Sequence, residues 1–117
     1  MSPKEIVTDW LRAFNSADAD AMVALYADDA IHTSPKLRSA QPGSDGRVVG
    51  KAAMRQWWLD AFNRPPPITY EPVTLIADDR VAVIEYVRHR DGEATLRVAE
   101  IFEIEKGKIV RSHVYHG

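Results

Sequence analysis

The sequence predicts an α+β domain, with helices in its first half and an antiparallel meander in its second. Three observations carry that reading. Apolar residues before Phe62 recur at the three-to-four spacing of amphipathic helices. From Ile68 onward the pattern changes to alternation in four segments joined by short polar turns. Between the two halves stands Pro65-Pro66-Pro67, which no helix can continue through.

The elements follow in order. Ile6, Val7, Trp10, Leu11 and Phe14 form one helical stripe, with Ser2 or Pro3 as its start signal and Asn15-Ser16-Ala17 as its break. Asp18 or Asp20 can cap a second helix, whose buried stripe is expected to be Ala21, Met22, Leu25 and Tyr26. Asp28-Asp29 ends it, and Ala30 to Ser34 reads as a short strand. The segment Pro35 to Gly46, rich in Pro, Ser and Gly, is expected to be a loop. Arg47-Val48-Val49 reads as a short strand before Gly50, and a third helix is expected from Lys51 to Asn63. The predicted strands are Ile68–Ala77, Arg80–His89, Ala94–Glu105 and Lys108–His116, turning at Asp78-Asp79, Asp91-Gly92 and Lys106-Gly107. A curved sheet covered by helices on one side leaves a concave pocket, a common place for a small ligand.

The chain has 117 residues, which suits one domain covering residues 1–117. Its net charge is −2, without a basic block, so neither nucleic acid nor a membrane surface is an expected partner. There is no cysteine, which removes disulfides, thiolate zinc sites and cysteine nucleophiles. His32, His89, His113 and His116 follow no metal-ligand pattern, and neither a metal nor a cofactor is expected. The N-terminus carries no apolar signal region, and a cytoplasmic location is the default expectation.

One residue is out of place. In Leu96-Arg97-Val98-Ala99-Glu100-Ile101-Phe102-Glu103-Ile104, alternation puts Glu100 on the same face as Leu96, Val98, Phe102 and Ile104. An acid on an apolar face tends to keep its proton or find a partner. It is either a structural acid paired with Arg or Tyr, or a proton donor at neutral pH.

Three segments resemble the nuclear-transport-factor-2-like superfamily, in particular its SnoaL-like and ketosteroid-isomerase-like members. They are Leu25-Tyr26-Ala27-Asp28-Asp29-Ala30 after a helix bearing Phe14-Asn15, the glycine-led Val49-Gly50-Lys51 to Trp57, and the final hairpin Phe102 to Val110. The resemblance implies a cone-shaped barrel with a curved mixed or antiparallel sheet, wrapped by three N-terminal and central helices and usually dimeric. It places Glu100 at the position of the isomerases' protonated acid, Trp10 at their tyrosine donor and Ser34 at their aspartate base. Tyr26 and Trp58 match aromatic, pocket-facing positions. In limonene-type epoxide hydrolases Arg80 would match the arginine, but Ala82 and Val114 replace the two aspartates, so that chemistry is not expected. Val114 also stands where SnoaL-type cyclases carry an acid.

The candidate catalytic residues are Glu100, His32 and Tyr86. Alternation projects His32 inward with Ser34, and neutral imidazole is the side chain best placed to act as a base near pH 7. Its alternative is a core histidine. Ile84, Tyr86 and Arg88 share a strand face, which the resemblance turns inward. A one-residue slip would bring in Glu85 and turn Tyr86 out. Arg88 is placed at the rim, where it could attract an anion. The resemblance also turns Ser112, Val114 and His116 inward, with His116 expected to fray at the chain end. His113 and Tyr115 are assigned to the outer face, where the family dimerises. Trp10, Trp57, Trp58 and Phe62 are expected in the core and pocket wall, and Val98 and Phe102 on the pocket side. The leading expectation is a cofactor-independent acid–base enzyme, of isomerase, cyclase or dehydratase type, acting on a small apolar or aromatic carbonyl compound. The alternatives are a non-catalytic binding module and a dimerisation module whose cone is filled by side chains. A cavity below about 300 Å³ would favour the last.

Overall fold

A computed structural model describes residues 1–117. The first helix, α1 (Pro3–Asn15), begins where the sequence places it. Ser2 and Glu5 close a reciprocal capping box, at 3.0 and 3.2 Å, and Pro3 fills the first turn. Ile6, Val7, Trp10, Ala13 and Phe14 are buried. Asp18 caps α2 (Ala19–Ala24) by accepting from the Ala21 amide at 3.0 Å.

Here the structure departs from the helical reading of Leu25 and Tyr26. Strand β1 runs Tyr26–Thr33, so Tyr26 belongs to the sheet. The Ile109 amide donates to the Leu25 carbonyl, and Tyr26 pairs in parallel with Ile109. Ladder pairing with the last strand overrides a helical pattern that would otherwise run on. A second departure is α3 (Pro35–Ala40), where a loop was expected. Ser34 caps it, Pro35 opens it, and the fully buried Leu37 pins it to the core.

Strand β2 (Arg47–Val49) leads to Gly50, whose φ of +87° suits glycine, and then to α4 (Lys51–Phe62). Met54 and Trp58 are its buried residues. The meander consists of β3 (Ile68–Ala77), β4 (Val81–Arg90), β5 (Leu96–Glu105) and β6 (Lys108–His116). Asp78 accepts from the Arg80 and Val81 amides, and Lys106 and Gly107 both have positive φ, as a tight hairpin requires.

The six strands form one mixed sheet in the order β2-β1-β6-β5-β4-β3. Only β1 and β6 are parallel. The sheet curves without closing, so the barrel implied by the resemblance is an open cone with β2 and β3 as edges. Register shifts at Pro72/Thr74 and Glu103/Ile104 help bend it. Proline at position 72 is tolerated because β3 is an edge strand. Register also fixes strand parity: Tyr86 pairs with Val98, and Glu85 pairs with Ala99 on the other face. Glu85 there meets Arg97 at 3.1 Å in the open. No helix is long and apolar enough to cross a membrane.

Candidate active site

The helices and the inner sheet face enclose a cavity of about 210 Å³. Trp10 and Phe14 of α1 and Trp57, Trp58 and Ala61 of α4 form one wall. Tyr70, Tyr86, Val98, Glu100 and Val114 line the sheet side, with His32 from β1. The aromatic rings pack against one another: Phe14 stacks on Tyr70 at 3.7 Å between centroids, Tyr70 on Tyr86 at 4.1 Å, and Trp10 meets Phe102 edge-on at 4.9 Å.

The chemistry centres on Glu100, which is 1% exposed. Its Oε1 accepts the Tyr86 hydroxyl at 2.9 Å, and its Oε2 is buried with no partner. Burial pushes its pKa up to about 8, against the smaller opposing effect of the Tyr86 hydrogen bond. The acid therefore carries its proton at neutral pH. Because Oε1 is already an acceptor, the proton belongs on Oε2. A second orphaned polar atom lines the same cavity, the Trp10 Nε1–H. An unmade hydrogen bond at a buried group typically costs about 1–3 kcal/mol, so two such donors beside one cavity are worth noting.

His32 lies 3.9 Å from Glu100 Oε2, measured from Nδ1. Burial, with a smaller effect from His113, lowers its pKa to about 4. Both groups are then uncharged at pH 7, so the contact is not an ion pair. The distance and the loss of hydration for two charges both argue against one. The same Nδ1 is 2.7 Å from Ser112 Oγ, which is 2.9 Å from the Tyr26 hydroxyl. His32 and Ser112 are register partners across the parallel β1–β6 ladder, which sets this chain of hydrogen bonds. With Nδ1–H donating to Ser112, Nε2 keeps a free lone pair; it makes no hydrogen bond within the chain.

At the solvent end the lining becomes cationic. Lys36, Arg64, Arg88, Arg90 and His116 gather there with Glu93. Of the residues singled out from the sequence, His32, Ser34, Tyr86, Glu100, Trp10, Trp57 and Trp58 line the cavity. So do Arg88, Val98, Val114 and His116. Tyr26, Phe62, Ile84, Phe102 and Ser112 do not; they lie behind the wall, where Tyr26 and Ser112 connect to the cavity by hydrogen bonds leading to His32. Ser34 lines the cavity, but its hydroxyl already accepts from the Lys36 amide as a helix cap. Arg80 is exposed in the β3–β4 turn, outside the cavity. His116 is paired at the end of β6, opposite Val98, and its neighbour Gly117 donates to the Arg97 carbonyl. Sequence reasoning missed Tyr70, Phe14 and the cations other than Arg88 and His116. Tyr70 alternates with Ile68 on β3, a signal that was there to be read. No group of three or more His, Asp or Glu side chains has the arrangement to hold a metal ion.

The comparisons with known proteins agree with this architecture. The SnoaL-like domain pattern matches residues 7–112. A SnoaL-like protein of unknown function from Burkholderia thailandensis superimposes with a TM-score of 0.84 at 23% identity, over 97% of this chain and 93% of that one. A protein named as a candidate ketosteroid isomerase from Kribbella flavida gives 0.80 at 17% identity, over 97% and 76%. A protein named as a candidate polyketide cyclase from Sinorhizobium meliloti gives 0.77 at 22%, over 95% and 94%. No curated protein matches the chain. With an open six-stranded cone and a matching pattern over residues 7–112, the chain belongs to the SnoaL-like domain family.

Proposed function

We propose that the chain is a cofactor-independent acid–base enzyme acting on a small carbonyl compound. The observation that carries this reading is the unpartnered Oε2 of a neutral, buried Glu100 beside a neutral His32 in one cavity. His32 Nε2 would take a proton from the carbon next to the carbonyl. The C–H electron pair would move to the carbonyl oxygen, which Glu100 Oε2–H would meet as a hydrogen-bond donor. Return of that proton to another carbon is isomerisation. Attack of the enolate carbon on a second carbonyl is cyclisation, and expulsion of a β-hydroxyl as water is dehydration. A base of pKa about 4 is weak, so the reaction leans on the oxyanion donors and on a substrate C–H already made acidic by its neighbours.

The test is deuterium incorporation from D₂O at the α-carbon of small cyclic and aryl ketones, followed by NMR. Exchange is expected with the wild-type protein and is expected to collapse in Glu100→Ala and in His32→Ala. Equal exchange in all three would sink the mechanism.

A second reading has its own support. The cavity of about 210 Å³ is smaller than the roughly 300–1,000 Å³ of typical ligand sites. That favours a module whose cone is filled by side chains, or a binder of a very small ligand. Absence of exchange across the panel would leave this reading in place. For assembly, we propose a homodimer through the outer sheet face, where Ile76 is 63% and Tyr115 56% exposed. Sedimentation of Tyr115→Glu against wild type tests it: the dimer should dissociate, and an unchanged monomer would refute it.

A further inference from the structure

Arg88 is the one charged side chain of the cavity that is buried, and no acceptor of the chain hydrogen-bonds its guanidinium. The residue is 9% exposed, and its guanidinium, which makes no hydrogen bond to another group of the chain, keeps access to the cavity mouth. Its only acidic neighbour is Glu93, at 3.6 Å from Nη1, too long for a hydrogen bond. Glu93 is moreover shared with Arg90, at 3.4 Å. Arg90 is otherwise engaged, donating to the carbonyls of Arg64, Pro65 and Pro66. A guanidinium carries five N–H donors in a fixed fork, and here they open to the cavity rather than to an acceptor of the chain.

The surroundings compound the imbalance. Lys36, Arg64, Arg88 and Arg90 against Glu93 make a formal +3 at the solvent end of the cavity, in a chain whose net charge is −2. Glu100 offsets none of this, because it is protonated. His116 lies in the same positive field: burial, Lys36 and Arg88 all hold its pKa down.

We propose that the cavity takes a planar carboxylic acid, with the carboxylate held by the Arg88 fork and the reacting oxygen held at Glu100. The substrate is then a small oxo acid rather than a neutral ketone. The proposal rests on the acid–base reading of Glu100 for the second half of its statement only. Arg88 follows Tyr86 as the next inward residue of β4, and the Tyr86 hydroxyl donates to Glu100 at 2.9 Å, so both anchors line one cavity from neighbouring strands. A ring bearing an oxygen at one end and a carboxylate at the other would meet both anchors. The stacked Tyr70 and Tyr86 rings and the Trp57 and Trp58 side chains offer faces for such a ring. Arginine suits this task better than lysine because its two parallel N–H groups match a carboxylate.

The experiment is a calorimetric or tryptophan-fluorescence titration with 4-hydroxybenzoate, whose phenol oxygen stands in for an enolate oxygen. Its neutral counterpart, 4-hydroxybenzamide, serves as the comparison. The wild-type protein should bind the acid about tenfold or more tighter than the amide, the scale of a charge-assisted hydrogen bond. Arg88→Gln should erase that preference. Because Arg88→Gln could disturb folding, Glu93→Gln provides a second arm on an exposed residue. Freeing Arg88 from its acidic neighbour should tighten acid binding severalfold. Equal binding of acid and amide, no binding of either, or an undiminished preference in Arg88→Gln would each overturn the anchor. These readouts need no turnover. Failure of the anchor therefore shows in the acid-to-amide ratio, whereas failure of the acid–base reading shows in the deuterium exchange of Glu100→Ala and His32→Ala.

Discussion

Two histidine–carboxylate pairs sit on opposite faces of the same sheet, and they behave in opposite ways. On the inner face His32 and Glu100 are 3.9 Å apart, with side chains 5% and 1% exposed. On the outer face His113 and Glu103 are 3.1 Å apart, and a second cation, Arg111, reaches Glu103 at 3.0 Å. The Arg111 hydrogen bond leads the effects that hold Glu103 below the usual carboxylate range, while burial drives Glu100 up to about 8. The residue types are the same, and both carboxylates come from β5. What differs is solvent and a competing cation. With both, a carboxylate is an ordinary surface acid; without either, it keeps its proton and becomes a donor.

Substitutions can break this comparison, and the largest effects are expected inside. Glu100→Ala and His32→Ala should each lower α-carbon exchange by about 10²–10³-fold, the usual scale for an oxyanion donor or a positioned base. Glu103→Ala should leave exchange within about twofold of wild type. Glu100→Gln should fall between, since an amide can still accept from Tyr86 and donate with its N–H₂ group. A strong effect of Glu103→Ala would show that the two faces are not independent.

The pH profile sharpens the same contrast. Exchange requires His32 unprotonated and Glu100 protonated, so it should rise through about pH 4 and fall through about pH 8. The groups around Glu100 that could distort these limbs are Tyr26, Tyr70 and Tyr86, which burial keeps as neutral phenols, and the Arg88 cation. Around His32 the corresponding group is His113. Glu100→Gln should remove the alkaline limb. Tyr86→Phe should move it upward, because the Tyr86 hydrogen bond lowers the Glu100 pKa.

Stability should follow with a definite sign. Glu100 is raised from 4.5 to about 8, so its contribution is full below pH 4.5 and is lost as pH rises to about 8. His32 is lowered from 6.5 to about 4, so its contribution is full above pH 6.5 and is lost as pH falls to about 4. The two slopes cancel between pH 4.5 and 6.5, leaving a plateau. From pH 6.5 to 8 only Glu100 acts, and denaturant unfolding should show a loss on the order of 2 kcal/mol, absent in Glu100→Gln. The smallest effect belongs to the outer pair. Arg111→Ala should leave the denaturation midpoint nearly unchanged, because both partners are solvent-exposed, Glu103 at 37%.

Much of this was legible from residues alone. The cap at Ser2, the Pro65–Pro67 stop, the four alternating strands and the exceptional position of Glu100 all follow from local pattern. Tyr26 was misread because Ala21, Met22, Leu25 and Tyr26 keep helical spacing, and nothing nearby announces a parallel partner at Ile109. The α3 helix was hidden because its proline and serine, which read as loop residues, are its first turn and its cap.

The sequence by itself determined which residues alternate, where helices start and stop, and that one acid shares a face with apolar neighbours. Those are properties of spacing and backbone chemistry along a few residues. Only the tertiary structure decided that Tyr86 reaches Glu100 Oε1, that Ser112 ties Tyr26 to His32, and that Oε2 is left without a partner. It also decided that Arg88 and Arg64, far apart in the chain, share one cavity mouth. Ladder register and burial set these contacts between distant segments, and they turn a misplaced glutamate into a neutral acid with its proton free to give.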